Sequence, residues 1–158
     1  MIKIVCVGKI REKSLSALIA EYEKRLSAYT RLDIIEVADE PAPQENSLAQ
    51  DRKVLETEGA RILKQLKEKD TVILLDLKGK MLSSEKLAEK MEEFYLAGKS
   101  DLVFVIGGSL GLSDSVRKRA DLSWKLSDLT FPHQIVRLLV LEQVYRAYKI
   151  NKNEPYHK

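Results

Sequence analysis

The stretch from 126 to 150, LSDLTFPHQIVRLLVLEQVYRAYKI, decides how this chain is read. A polar loop, Ser127-Asp128-Leu129-Thr130, runs into Phe131-Pro132, and from His133 to Ile150 there is neither Gly nor Pro. That pattern predicts a loop feeding a long helix. Pro132 fits a first turn, where a missing N–H costs nothing, and Thr130 is the candidate cap. Ile135, Leu138 and Leu139 mark one side of the helix; Val136, Val140, Val144 and Ala147 mark a second. The apolar surface is then wider than the roughly 100° stripe with which a helix lies on one sheet. Something besides the chain's own sheet is expected to cover the remainder. Arg137, Glu142, Gln143 and Arg146 lie within or beside that surface, and each is expected to have a partner.

Upstream, apolar β-rich runs alternate with helical patterns. Met1 to Gly8, Leu32 to Val37, Thr71 to Asp76, Asp101 to Ile106 and Leu122 to Leu126 read as strands. TVILLD (71–76) is apolar on both faces, as a central strand of a parallel sheet must be. Between the strands, Ser14 is expected to cap a helix to about Tyr29, with Leu15, Leu18, Ile19, Tyr22 and Leu26 on one face. Ser47 and Gln50 make a candidate capping box for a charged surface helix reaching about Lys67. Ser84 opens a helix closing near Gly98, and Ser113 caps a short basic helix with Arg117, Lys118 and Arg119. Five strands alternating with five helices predict an α/β domain, a mostly parallel sheet with helices on both faces. Residues 1–158 read as a single domain, with DEPAPQEN (39–46) as a polar loop and NKNEPYHK (151–158) as a polar tail.

Composition narrows the class. With 44% hydrophobic and 32% charged residues, the 158-residue chain has the make-up of an ordinary globular protein. No apolar run approaches the ~20 residues of a membrane span, and MIKIVCVGK lacks the pattern of a signal peptide, so the expected location is the cytoplasm. Cys6 stands alone, which rules out a disulfide framework. Residues 1–79 carry 14 basic and 14 acidic side chains, whereas 117–158 carry 9 basic against 4 acidic. A positive C-terminal part suits an anionic partner such as RNA.

Certain chemistries lack their residues. The first strand is followed by KIREKS, without the several glycines of a dinucleotide or phosphate-binding loop. His133, His157 and Cys6 share no zinc-ligand spacing. In open α/β sheets, ligands bind beyond the carboxyl ends of the strands. Three such ends are candidates: Leu75-Asp76 to Gly79, Gly107 to Gly111 (GGSLG), and Leu126 to Phe131. The glycines either let backbone approach a ligand or simply make a tight turn. His133 reads as a packing residue or a base, and Tyr156 and His157 as a loose tail or functional groups.

Three segments together, FVIGGSLGL (104–112), LSDLTFPHQIVRLLVLEQVYRAYKI (126–150) and the terminal PYHK (155–158), resemble the family of the ribosomal RNA large-subunit methyltransferase H, of the SPOUT class. The likeness spans the chain, including VGK (7–9) and LLDLKGKMLSSE (74–85). It implies a C-terminal trefoil knot, S-adenosylmethionine as methyl donor, a homodimer, and a pseudouridine in large-subunit ribosomal RNA as substrate, methylated on N3 within the ribosome. Carried over by position, the donor contacts are Leu75, Gly107, Leu126, Ser127, Asp128, Leu129, Thr130 and Phe131; Gly108 is added from the glycine turn. N3 must lose a proton before it attacks, and His157 is the first candidate to take it or to hold the base, with Tyr156 beside it for stacking. Arg137, Arg146 and the 117–119 cluster are candidates for phosphates. Two other readings compete: a ribosome-binding protein without catalysis, and an α/β enzyme using a nicotinamide or ATP.

Overall fold

The computed structural model describes residues 1–42, 44–45 and 47–158. Five strands, β1 (Ile2–Val7), β2 (Leu32–Val37), β3 (Thr71–Met81), β4 (Leu102–Ile106) and β5 (Leu122–Lys125), form one sheet in the order β2-β1-β4-β3-β5. Every pairing is parallel. The helices are α1 (Lys13–Leu26), α2 (Leu48–Leu63), α3 (Ser84–Leu96), α4 (Asp114–Lys118) and α5 (His133–Asn151).

Strand alternation builds two cores. Ile2, Ile4, Cys6, Leu102, Phe104 and Ile106 face one side with α1, α3 and α5. Val5, Val7, Val103, Val105, Val72 and Leu74 face the other, against Ile62 of α2 and Val116 of α4. Both faces are covered, so β1 and β4 are buried along their whole length. Cys6 lies in this interior, where burial pushes its thiol up to about 11, and it acts as a small core side chain.

The ends of several elements depart from the sequence reading. Thr130 does not cap α5: Pro132 is the N-cap residue and no side chain closes it. Likewise Glu12, not Ser14, precedes α1, without a side-chain cap. α3 does open at Ser84, and Ser83 before it is the cap, its hydroxyl accepting from the Lys86 amide. The Ser47–Gln50 capping box forms as expected. β3 runs five residues past Asp76, and beyond a register break its second half pairs with β5. Gly79 permits that pairing, since a Cβ there would come within 2.6 Å of the Ser123 backbone.

The wide apolar surface of α5 has an intramolecular explanation. α5 lies on the sheet between α1 and α3, which bury Val140, Leu141, Val144 and Ala147 completely. The cover expected beyond the chain's own sheet is therefore largely supplied by two of its own helices. Large apolar side chains left exposed on this layer, among the described residues, are Leu18 of α1 (45% exposed), Leu96 at the end of α3 (81%) and Ile135 of α5 (41%). The polar residues of α5 do have partners, as expected. Arg137, 3% exposed, donates to Glu36 Oε2 at 2.7 Å and to the Gly8 carbonyl at 3.1 Å. Gln143 bridges Ser84 and Glu142.

From β4 the chain crosses to α4 on one face, rounds β3 to form β5 at the sheet edge, and returns as α5 on the opposite face. This path is compatible with a C-terminal trefoil knot.

Candidate functional site

The three predicted strand ends converge. A cavity of about 670 Å³ opens at the carboxyl ends of β3, β4 and β5, with Phe131, Pro132 and His133 at the start of α5 forming part of its wall. Of the nine residues expected to contact a ligand, eight line it: Leu75, Gly107, Gly108, Leu126, Ser127, Leu129, Thr130 and Phe131. Asp128 does not; it is exposed, and its carboxylate pairs with Lys125. The Ser127 hydroxyl accepts from the Leu129 amide, which fixes the turn between β5 and α5.

The glycine turn is a cradle built of backbone. Gly108 and Gly111 form an antiparallel bridge, Gly111 has φ +90°, and its amide donates to the Gly108 carbonyl at 3.0 Å. A Cβ at Gly107 would collide with the Gly111 carbonyl group, so only glycine leaves that turn closed.

The wall also holds residues outside the nine expected contacts. Trp124, 3% exposed, packs edge-on against Phe104, and its indole N–H has no hydrogen-bond partner among the described residues. Asp76 and Arg117 also line the cavity, joined by Nε to Oδ2 at 2.8 Å. Burial raises the Asp76 pKa, but the Arg117 hydrogen bond and the Lys78 amide outweigh it, and the carboxyl stays below its usual range. The signal for Asp76 was its place at the end of a buried strand. The sequence offers Arg117 only as part of a basic cluster, and nothing in it joins Arg117 to Asp76, 41 residues away.

The other basic candidates are occupied. Arg119 donates to the carbonyls of Lys67, Glu68 and Asp70, and Arg117 to Asp76. Among the described residues only Lys118 of the cluster stays exposed without a partner, so 117–119 does not act as a free basic patch. Arg137 is committed to Glu36 and Gly8 beneath the sheet rim.

The tail is fastened, not loose. The Tyr156 ring meets Tyr145 edge-on at 4.9 Å, carries the Arg146 guanidinium at 4.7 Å, and donates its hydroxyl to Glu142. His157 contacts Arg146 through Nδ1 at 3.1 Å and Glu85 through Nε2 at 2.7 Å. Neither residue lines the cavity of its own chain. At ~1.5 Å per residue, the thirteen residues of helix between His133 and Arg146 set the tail roughly 20 Å away.

A parallel α/β sheet with a largely apolar, glycine-rimmed cavity at its carboxyl edge defines a small-molecule-binding α/β protein. Comparison with known proteins makes that class specific. The family described as "Predicted SPOUT methyltransferase" matches residues 1–157. The chain is 56% identical over 157 residues to the ribosomal RNA large subunit methyltransferase H of Desulfitobacterium hafniense (strain DSM 10664 / DCB-2), covering 99% of this chain and 98% of that one. It is 51% identical to the protein of the same name from Acetivibrio thermocellus, over 99% of both. Among solved structures it resembles a probable methylase family protein of Haemophilus influenzae Rd KW20, with a TM-score of 0.54 and 14% identity over 99% of this chain and 70% of that one, a likeness of fold. The chain belongs to the SPOUT methyltransferase family, in the group of the ribosomal RNA large subunit methyltransferase H proteins.

Proposed function

We propose that the chain transfers the methyl group of S-adenosylmethionine to N3 of a pseudouridine in large-subunit ribosomal RNA, on ribosomes in the cytoplasm and as a homodimer. The observation that carries this reading is the convergence of three separate strand ends on one cavity of suitable size. Drug-sized ligands occupy cavities of roughly 300 to 1,000 Å³. At about 670 Å³ this one fits such a ligand, and its make-up suits the donor. Leu75, Leu126 and Leu129 offer apolar surface, the turn at Gly107–Gly111 offers backbone groups, and the orphaned Trp124 N–H offers a donor.

Bound there, S-adenosylmethionine supplies a methyl group already activated on a sulfonium. The chain's own task is alignment and exclusion of water, which can lower a barrier by ~7 to 11 kcal/mol. Asp76, kept ionised by Arg117, presents negative charge to that cationic ligand. The Gly107–Gly111 turn, held by its own bridge, does not have to reorganise.

In this reading the tail serves a second copy. His157 and Tyr156 stand too far from their own cavity, so their role, holding the base or accepting its proton and stacking on it, is exercised in the cavity of the partner. Leu18 and Ile135, exposed on the α1–α5 layer, belong to the dimer contact. Arg146, oriented by Glu142, faces the RNA beside His157, and Arg137 positions the sheet rim through Glu36.

Mass spectrometry of ribosomal RNA from cells with and without the protein tests the reaction. The modified nucleoside should disappear with the protein and return with its gene. Calorimetry should show one S-adenosylmethionine per cavity; the absence of binding overturns the proposal.

A further inference from the structure

The donor cavity has a neighbour. A second cavity of about 920 Å³ opens beyond the carboxyl ends of β1 and β2, and it shares Gly108, Ser109, Pro132 and His133 with the first. Two titratable side chains stand at this common wall. A Cβ built on Gly8 would lie 3.7 Å from His133 Nε2, and one built on Gly108 would lie 3.1 Å from Glu58 Oε1.

Glu58 is an unusual occupant. It lies on α2 in line with Val54 and Ile62, and it is 5% exposed. Oε2 accepts the Glu40 amide at 2.9 Å, whereas Oε1 has no hydrogen bond among the described residues. Its nearest cation on α2 does not neutralise it, because Arg61 donates to Glu40 Oε2 and to the Ala38 carbonyl. An anchor for the loop after β2 needs only one carboxylate oxygen. The second oxygen has no partner among the described residues and stands at the wall of a cavity, where a ligand can donate to it. At the mouth, Lys9 and Arg11 are exposed and have no ion pair among the described residues. Acidic lining with Glu36, Asp39 and Glu58 disfavours a free anion inside, so the fit is a neutral N–H-bearing ring within and phosphate outside.

We propose that the second cavity receives the acceptor base of the RNA, that Glu58 Oε1 takes the imide proton of N3, and that Lys9 and Arg11 hold the flanking phosphates. The inference rests on the methyltransferase reading above. In the step, the N3–H bond breaks and its proton passes to the Glu58 carboxylate. The electron pair left on N3 forms the bond to the methyl carbon as that carbon's bond to the sulfonium sulfur breaks. The base becomes the N-methyl imide, Glu58 the neutral acid, and the donor a neutral thioether. Burial first, and then the nearby Asp39, raises the pKa of Glu58 against the lowering effect of the Glu40 amide, which makes it a better proton acceptor for a weak imide acid. His157 of the partner subunit is then left with holding the base.

The test compares wild type, Glu58→Gln and the double variant Lys9→Glu/Arg11→Glu, using S-adenosylmethionine titrations and single-turnover methylation of unmodified large ribosomal subunits. Glu58→Gln keeps the shape and an oxygen for the Glu40 amide, so it should melt at or above the wild-type temperature and bind the donor as tightly. Its transfer rate should fall by about 10²- to 10⁴-fold. Alkaline pH should recover part of that rate, since hydroxide then removes the imide proton. Asp39, Glu40 and Arg61, the charged groups facing Glu58, are common to both proteins. The double variant should bind the subunits about ten-fold more weakly with unchanged donor affinity. Wild-type transfer by Glu58→Gln, or full subunit affinity in the double variant, overturns the acceptor site alone. A wild-type chain that binds no donor overturns the methyltransferase reading instead. Should Glu58→Gln melt early, the double variant, altered only at exposed positions, decides.

Discussion

Arg117 holds Asp76 by Nε to Oδ2 at 2.8 Å, tying the short helix α4 to the end of β3 across the wall of the donor cavity. The carboxylate side chain is 6% exposed and the guanidinium 29%. The pair therefore orders the cavity and sets its charge together.

Arg117→Met should leave Asp76 buried without its ion pair and cost about 2 kcal/mol, read as a lower melting temperature, with weaker S-adenosylmethionine binding by calorimetry. The pH dependence has a definite sign. Asp76 has a lowered pKa when folded, so its contribution to stability is present above the unfolded value and is lost as the pH falls through the lowered folded one. Chemical denaturation below about pH 4 should show a steeper acid loss in wild type than in Arg117→Met. Equal slopes would separate Asp76 from Arg117.

Gly107→Ala should close the cradle. The added methyl meets the Gly111 carbonyl group and Leu112, so the turn must open. Donor affinity should drop by about ten-fold or more, equivalent to about 1.4 kcal/mol, as measured by calorimetry. Unchanged affinity would show that the ligand does not use this turn.

Helix α5 separates packing from assembly. Val144→Asp places a charge in a fully buried position and should abolish cooperative melting. Ile135→Glu, at an exposed position, should melt like wild type yet sediment as a monomer. A folded monomer from Ile135→Glu that methylates at full rate would refute a shared site.

The tail should matter more to activity than to stability. His157 and Glu85 form a solvent-screened pair, and such pairs add little to stability. His157→Ala should therefore melt within a few degrees of wild type while its methylation falls by about 10². Mixed dimers of His157→Ala with Gly107→Ala chains should recover activity at one of their two sites. No recovery would place the tail outside the partner's cavity.

The amino-acid order by itself determined the elements and the ligand edge. Uninterrupted apolar runs such as TVILLD can be buried on both faces only in a covered parallel sheet, and strand ends rich in glycine fall where such sheets bind ligands. The individual contacts came from the family resemblance, Gly108 apart, and eight of the nine line the cavity at those same strand ends. The spacing of Val54, Glu58 and Ile62 already put a carboxylate on the inward stripe of α2, but the surrounding charge made the helix read as surface. What covers α5, which arginines are spent internally and where the tail is fastened were decided only by the tertiary structure. These depend on contacts such as Arg137 to Glu36, 101 residues apart. Local periodicity reports that a side chain must be buried or paired, and the chain's three-dimensional path selects the partner.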